Sequence, residues 1–354
     1  MDLADVVRRH GPAYMKRFGD RLPQAHRRAL EAILRCHTAA CGGSLYLCPQ
    51  CGALHFRYHG CGHRACGQCG HAQAQAWLER QTSRLLPADY FLVTFTVPKD
   101  LRRWIRREPR FFYDLLLRES AATLQDVAAH PRYGFAGRLG FLSVLHTWTR
   151  QLVYHPHLHC VIPAVALRAD HALGWPRQRG FLLPVHRLSA RWRSRLRQAL
   201  WAQRPDLAAH IPAQVWRGPW VVHSQAAGRG AQALQYLSRY IFRTAISSAR
   251  LLWQDERRVC FSYTDSKSGQ KRSCTLEAEE FLRRFLQHVL PKGFHRVRSY
   301  GWLSPAAKKS YEHLRVLLSA LAAPAPKPRP KVRVSCPRCF CPMRRIAQLS
   351  RAPP

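Results

Sequence analysis

The segment YHPHLHC at 154–160 constrains the chain most, because it sets His155, His157 and His159 two residues apart in a run of strand-forming residues. A repeat of two is the repeat of a strand, so the three imidazoles are expected on one sheet face. Side chains spaced about 6–7 Å along a strand can converge on one divalent cation. A single buried histidine is more often a core residue satisfied by a neighbour. Three in strict alternation with other residues favour a metal. His157 and His159 are the better-placed pair, since Pro156 lacks an N–H and suits an edge or bulge just before them.

Strand signals surround this segment. GFLSVLHTW (140–148) and YHPHLHCVIPAVAL (154–167) read as an antiparallel pair with a short polar connection. YFLVTFTV (90–97), stopped by Pro98, reads as a buried strand, and WVVHSQ (220–225) as another. Helices are expected in 1–35 (two, broken near Leu22-Pro23) and at 72–86, 109–130, 187–203 and 229–244. RLLWQ and RVCFSYTD suggest a hairpin, and TLEAEEFLRRFLQHVL a helix capped by Thr275. The Pro-Lys-Arg stretch APAPKPRPKVRV should be an extended linker. The division expected is a basic helical N-terminus (1–35), a metal-stapled module (36–86), a catalytic domain (87–318) and a tail (319–354). Residues 168–218 suggest no function.

On the helix at 229–244, Leu234, Leu237 and Ile241 make the buried stripe. Tyr236 and Tyr240 stand one turn apart beside that stripe, with Arg239 and Arg243 continuing round. One half-buried tyrosine there would be ordinary. Two, flanked by guanidiniums whose forks match phosphate oxygens, suit a phosphate-facing nucleophile pair.

The cysteines fall in pairs near both ends of the chain. Cys48 and Cys51 (CPQC) with Cys66 and Cys69 (CGQC) have the spacing of a tetrahedral structural zinc site. Cys36, Cys41, Cys61 and His63 remain to complete a second site or to exchange with the first four. Cys160, Cys260 and Cys274 lie in or beside predicted strands and read as core. Cys336, Cys339 and Cys341 offer half a ribbon, read here without a metal of its own.

Charge names the partner class. Against 57 Lys+Arg stand 20 Asp+Glu, a net charge of +37, which attracts polyanions and points to nucleic acid. The N-terminus has no apolar signal core and no stretch reaches the about 20 apolar residues of a membrane span. A cytoplasmic, nucleoid-associated protein without membrane partners is the expectation.

Taken in order, the cysteine cluster, HTW with HPHLHC, and YLSRY followed by Arg resemble the transposases of the insertion sequence 91 family. FLVTFTVP, LHTW, HPHLHC, YLSRYIFRTAISSARLL and EFLRRFLQHVLPKGFHRVRSYG carry the resemblance, which runs from about Cys36 to about residue 315. The family is of the HUH type, with two tyrosines, related to rolling-circle replication initiators and relaxases. The resemblance implies an α+β fold, an HUH endonuclease-like antiparallel sheet with flanking helices preceded by a small zinc-binding, DNA-recognition module. It implies Mg²⁺ or Mn²⁺ on His157 and His159, and Zn²⁺ in the cysteine module. It also implies 5′-phosphotyrosine links to single-stranded DNA through Tyr236 and Tyr240.

Two positions depart from the pattern. Many relatives have Gln soon after HTW, a candidate third metal ligand, where this chain has Arg150. Gln151 is one residue off and would point to the other face unless a bulge intervenes, so His155 is the alternative third ligand. Relatives also often place His before the second CxxC, where this chain has Ala65, which leaves the cysteine tetrad untouched. The expected activity is nicking and joining of single-stranded element ends and target DNA. The alternatives are an initiator or relaxase of the same chemistry and a non-catalytic zinc DNA-binding protein, a decayed transposase that Arg150 would favour. The oligomeric state is left open.

Overall fold

A computed structural model describes residues 1–241, 245–265, 268–318 and 334–351, except the side chains of Ala72, Arg239, Tyr240 and Ile241. The expected linker and Arg243 lie outside the described residues. The chain opens with helices α1 (Leu3–Phe18) and α2 (Gln24–Leu34), then strands β1 (Gly43–Leu47) and β2 (Leu54–Tyr58) and helix α3 (His71–Thr82). Strand β3 (Tyr90–Thr96) leads to helices α4 (Arg102–Arg107) and α5 (Pro109–Ala129). Four strands follow, β4 (Gly137–Leu139), β5 (Phe141–Trp148), β6 (Tyr154–Pro163) and β7 (Ala166–Arg168), then the short β8 (Leu173–Gly174). Helices α6 (Val185–Gln203) and α7 (Pro205–His210), strand β9 (Val221–Ala226) and helix α8 (Ala231–Ile241) come next. After them run β10 (Leu251–Gln254), β11 (Arg258–Thr264), β12 (Lys271–Glu277), α9 (Ala278–Leu286), β13 (Val297–Tyr300), α10 (Lys308–Leu317) and β14 (Arg344–Leu349).

The scaffold of the site is a five-stranded antiparallel sheet in the order β13-β5-β6-β3-β9. Alternation along its strands gives each face its own cover. One face presents Phe91, Val93, Phe95, Leu145, Leu158 and Ile162 to α5 and α6. There Phe95 meets the fully buried Trp192 ring edge-on, centroids 5.0 Å apart. The opposite face presents Tyr90, Leu92, Leu142, Val144 and Val161 to Trp77 of α3 and to Ala233, Leu234 and Leu237 of α8. Leu234 and Leu237 are therefore buried as their spacing predicts.

The N-terminal helices are not a separate bead. Leu3, Val6, Val7, Leu30 and Ile33 share one core with Phe261 of β11 and with Phe281, Leu282 and Phe285 of α9. Arg64 fastens the same junction, its guanidinium donating to the carbonyls of Leu290 and Phe294, both at 2.8 Å.

Two local expectations are corrected. The cysteine-rich stretch carries a hairpin, β1 with β2, that its weak periodicity did not announce. Thr275 is not a helix cap but a residue of β12, paired with Cys260 of β11. The ladder runs unbroken from Thr264↔Lys271 to Arg258↔Glu277, and these tertiary backbone bonds outweigh the local capping signal. The helix starts instead at Ala278, with Glu279 and Glu280 in its first turn where the helix dipole favours acids.

Because Trp192 fills the space under β3, Trp192→Ala should destabilise the protein by about 3–5 kcal/mol, read from denaturant midpoints. A loss below about 1 kcal/mol would show that this face does not support the sheet.

Candidate active site and metal centres

The face under α8 changes chemistry along the strands. Beneath the helix it is apolar. Where the helix's cover ends, the same register continues as Thr94 and Thr96 on β3, His146 on β5, and His157 and His159 on β6. His146 stands directly across from His157, and His159 across from Val144 and Thr94. The nitrogens of His146, His157 and His159 all lie within 4.8 Å of one another. Nδ1 of His146 and Nε2 of His157 are 2.9 Å apart.

Outer contacts orient these rings. Nδ1 of His157 donates to the backbone carbonyl of His155 at 2.6 Å, and Nδ1 of His159 meets the Thr94 hydroxyl at 3.0 Å. Nε2 of His159 is buried with no hydrogen-bond partner among the described residues. A buried imidazole nitrogen aimed at two others is costly unless something occupies the point they share. Burial holds all three rings well toward the neutral, metal-ligating form, pushing His159 down to about 3. The chemistry of this donor set fits a divalent cation.

Tyr236 reaches the same place from α8. Its ring stands edge-on to His159, centroids 5.9 Å apart, and it is partly exposed. Both border a cavity of about 790 Å³ between the sheet and the β10–β12 strands. Arg150, Arg250 and Lys271 also line it, and among the described residues no carboxylate does. Tyr240 and Arg239 sit on the next turn of α8, and their side chains lie outside the described residues.

The cysteines form two clusters. Cys36, Cys61, Cys66 and Cys69 converge, with Sγ–Sγ distances of 3.5 Å (Cys36–Cys66), 3.6 Å (Cys36–Cys69) and 3.7 Å (Cys61–Cys69). Thiolates at the corners of a tetrahedron with a Zn–S bond of about 2.3 Å stand about 3.8 Å apart, so the cluster fits the ion. Backbone N–H groups of Cys61, Gly62 and His63 point at its sulfurs from 3.4–3.5 Å, the donors a thiolate needs. Cys48 and Cys51 converge elsewhere, on Cys336 and Cys339.

Comparison with known proteins now decides the family. A model described as a transposase zinc-binding domain matches residues 6–97, and one described as "Putative transposase" matches residues 140–311. The "Putative transposase y4qJ" of Sinorhizobium fredii (strain NBRC 101917 / NGR234) is 37% identical over 320 residues, covering 85% of this chain and 80% of that one. The "Transposase for insertion sequence element IS801" of Pseudomonas savastanoi pv. phaseolicola is 30% identical over 298 residues, 77% of this chain and 68% of the relative. The chain belongs to the insertion sequence 91 family of transposases. No solved structure matches it.

In this transposase the zinc-binding domain includes the whole Cys36 cluster, and no helix among the described residues is long and apolar enough to cross a membrane. The expected pairing of Cys48 and Cys51 with Cys66 and Cys69 is replaced by two tetrads, because β1 and β2 separate the two CxxC turns. Cys36 and Cys61 join the second pair, and Cys41 and His63 join neither tetrad. Cys336 and Cys339, read from the sequence as metal-free, complete the other.

The third imidazole is also new. His155 lines the cavity, its ring 5.1 Å from His157, but stands outside the three-nitrogen cluster. The reason is a register shift. His146 faces His157 while Trp148 faces Tyr154, so His155 and Pro156 form a bulge opposite Thr147. His146 was visible as the His of LHTW, and pairing the two strands would have placed it. Arg150 donates to the Thr264 carbonyl at 3.1 Å, on the β11 rim of the cavity, and takes no place among the three nitrogens.

Buried histidines give a pH test. Burial lowers His288, packed against Trp148, to about 3 and His26 to about 4. Unfolded histidine binds its proton near pH 6.5, so below that the unfolded chain holds more protons and stability falls with pH. Stability should be full above about pH 6.5 and decline toward pH 4, by up to about 1.4 kcal/mol per pH unit per histidine. Urea midpoints from pH 7 to 5 check this, and His288→Gln should flatten the slope. A pH-independent midpoint would contradict it.

Proposed function

We propose that this transposase nicks and joins single-stranded DNA through 5′-phosphotyrosine intermediates, as in rolling-circle transposition. The observation that carries the reading is Tyr236 standing edge-on to His159 in a cationic cavity. His146, His157 and His159 would hold Mg²⁺ or Mn²⁺, which polarises a phosphoryl oxygen and orients the scissile phosphate when bound.

The chain's own groups supply the rest. Arg150, Arg250 and Lys271 draw the sugar–phosphate backbone into the cavity and offset its charge. Among the described residues no carboxylate lines the cavity, which keeps repulsion from the phosphate low. Tyr236 Oη bonds to phosphorus, the bond from phosphorus to the 3′ oxygen breaks, and the phenolic proton ends on the departing 3′-OH. The phosphodiester energy stays in the tyrosine link, so the free hydroxyl of another strand can reverse the step without ATP. Tyr240, four residues on in the sequence, is the second nucleophile of this proposal, and Arg239 and Arg243 are its phosphate-binding residues. With His146 in the set, three imidazoles converge without residue 150, which supports the catalytic reading over a decayed transposase.

Incubated with labelled single-stranded element-end DNA and Mn²⁺, the protein should form a denaturation-resistant adduct. Tyr236→Phe/Tyr240→Phe should form none. No adduct from the unmodified protein, or an adduct from the double variant, would overturn the proposal. His146→Ala should lower adduct formation more than about tenfold, while His155→Ala retains most of it. The reverse ranking would return the third-ligand role to His155.

A further inference from the structure

We infer that the chain carries a second tetrathiolate zinc site, built half from the N-terminal module and half from the C-terminal end. The two halves are the same device written twice. CPQC at 48–51 and CPRC at 336–339 share Cys-Pro-X-Cys. In the first, the N–H of Gly52 donates to the Cys48 carbonyl at 3.0 Å and that of Cys48 to Ala53 at 2.9 Å. In the second, Phe340 donates to Cys336 and Cys336 to Cys341, both at 2.9 Å. The residue after each second cysteine takes a left-handed backbone, Gly52 at φ 68° and Phe340 at φ 62°. A phenylalanine pays a steric cost there that glycine does not. Its ring is 80% exposed, so packing does not hold it in that conformation.

What the two turns share is where their thiols point. Cys48 and Cys339 sulfurs are 3.5 Å apart, Cys51 and Cys339 3.5 Å, and Cys51 and Cys336 3.6 Å. These are close to the about 3.8 Å edge of a tetrahedron around zinc and far from the about 2 Å of a disulfide. The N–H of Arg338 points at the Cys336 sulfur from 3.4 Å.

The surrounding sheet needs such a staple. Strand β14 pairs with β1, which pairs with β2, yet every residue of β14 is exposed and most of β2. The buried cluster between the turns consists of Cys48, Ala53, Cys336 and Met343, half of it the ligands themselves. So small an apolar core does not hold a three-stranded sheet in water, whereas a structural zinc ion does. The matched zinc-binding domain ends at residue 97 and so includes Cys48 and Cys51 without the partners that complete them. The site makes the chain's last strand part of its N-terminal module, and the module loses one metal when the C-terminal end is removed.

Metal analysis of the full chain carrying His157→Ala/His159→Ala, so that the imidazole centre takes no zinc, should give two zinc ions, one for each tetrad. In that background Cys336→Ser/Cys339→Ser, and separately a chain ended at residue 333, should each retain one. Cobalt-reconstituted protein supplies a check that needs no variant, since its thiolate-to-cobalt absorption must have the intensity of two tetrathiolate centres. That intensity should fall by half in the serine double variant. One zinc or one cobalt centre in the unmodified chain would overturn the inference. So would two zinc ions retained in that background without Cys336 and Cys339, or these cysteines found in disulfides.

Discussion

The register of β5 against β6 is the constraint on which the site depends. It sets His146 opposite His157, and the next pair along, Val144 with His159, begins the apolar part of the face. A slip of one residue would turn His157 and His159 toward α5 and α6 and expose Leu158 to the cavity. Leu158 is fully buried on the far side, so the hydrophobic core beneath the sheet fixes the imidazoles above it. The bulge at His155 and Pro156 then ends the strict alternation, which is why the cluster stops at His157 on that side.

Helix α8 depends on the same face. Leu234 and Leu237 dock on Leu92, Leu142, Val144 and Val161, and the docking carries Tyr236 to the line where those residues give way to histidines. The helix spacing alone puts Tyr236 beside the buried stripe, but only the docking decides what it meets. Packing here is the positioning device for the nucleophile proposed above, and a loosened Leu237 would move the ring relative to His159 without touching either.

The parts legible in the sequence are those written locally. HPHLHC announced a strand with imidazoles on one face, and ALQYLSRY a helix with a buried stripe and a tyrosine beside it. The rest depended on distant pairing. His146 stands in plain view in LHTW, but its meaning comes from a partner strand in which a bulge shifts the register. Cys48 and Cys51 found their natural spacing partner in CGQC, yet their thiols meet residues 285 or more positions away. Two CxxC pairs at zinc-like spacing are ambiguous whenever a third pair exists elsewhere in the chain. Thr275 shows the opposite failure, a real capping signal overruled by a ladder with β11.

The cysteine-rich module and the cavity share a wall. Cys36, Ala65 and Cys66 of the zinc-binding domain pack in the same buried cluster as Trp148, Leu152, Ala245 and Leu251. Trp148 in turn touches His146, ring centroids 4.1 Å apart, and Trp148 and Ala245 both line the cavity. A close-packed interior transmits displacement instead of absorbing it. Trp148 thus stands between Ala65 and Cys66 on one side and the His146 ring on the other. Arg64 ties that wall to the segment after α9 through the carbonyls of Leu290 and Phe294. The cysteine cluster and the imidazoles are thus separated by about one layer of side chains, with Trp148 common to the buried cluster and the cavity wall.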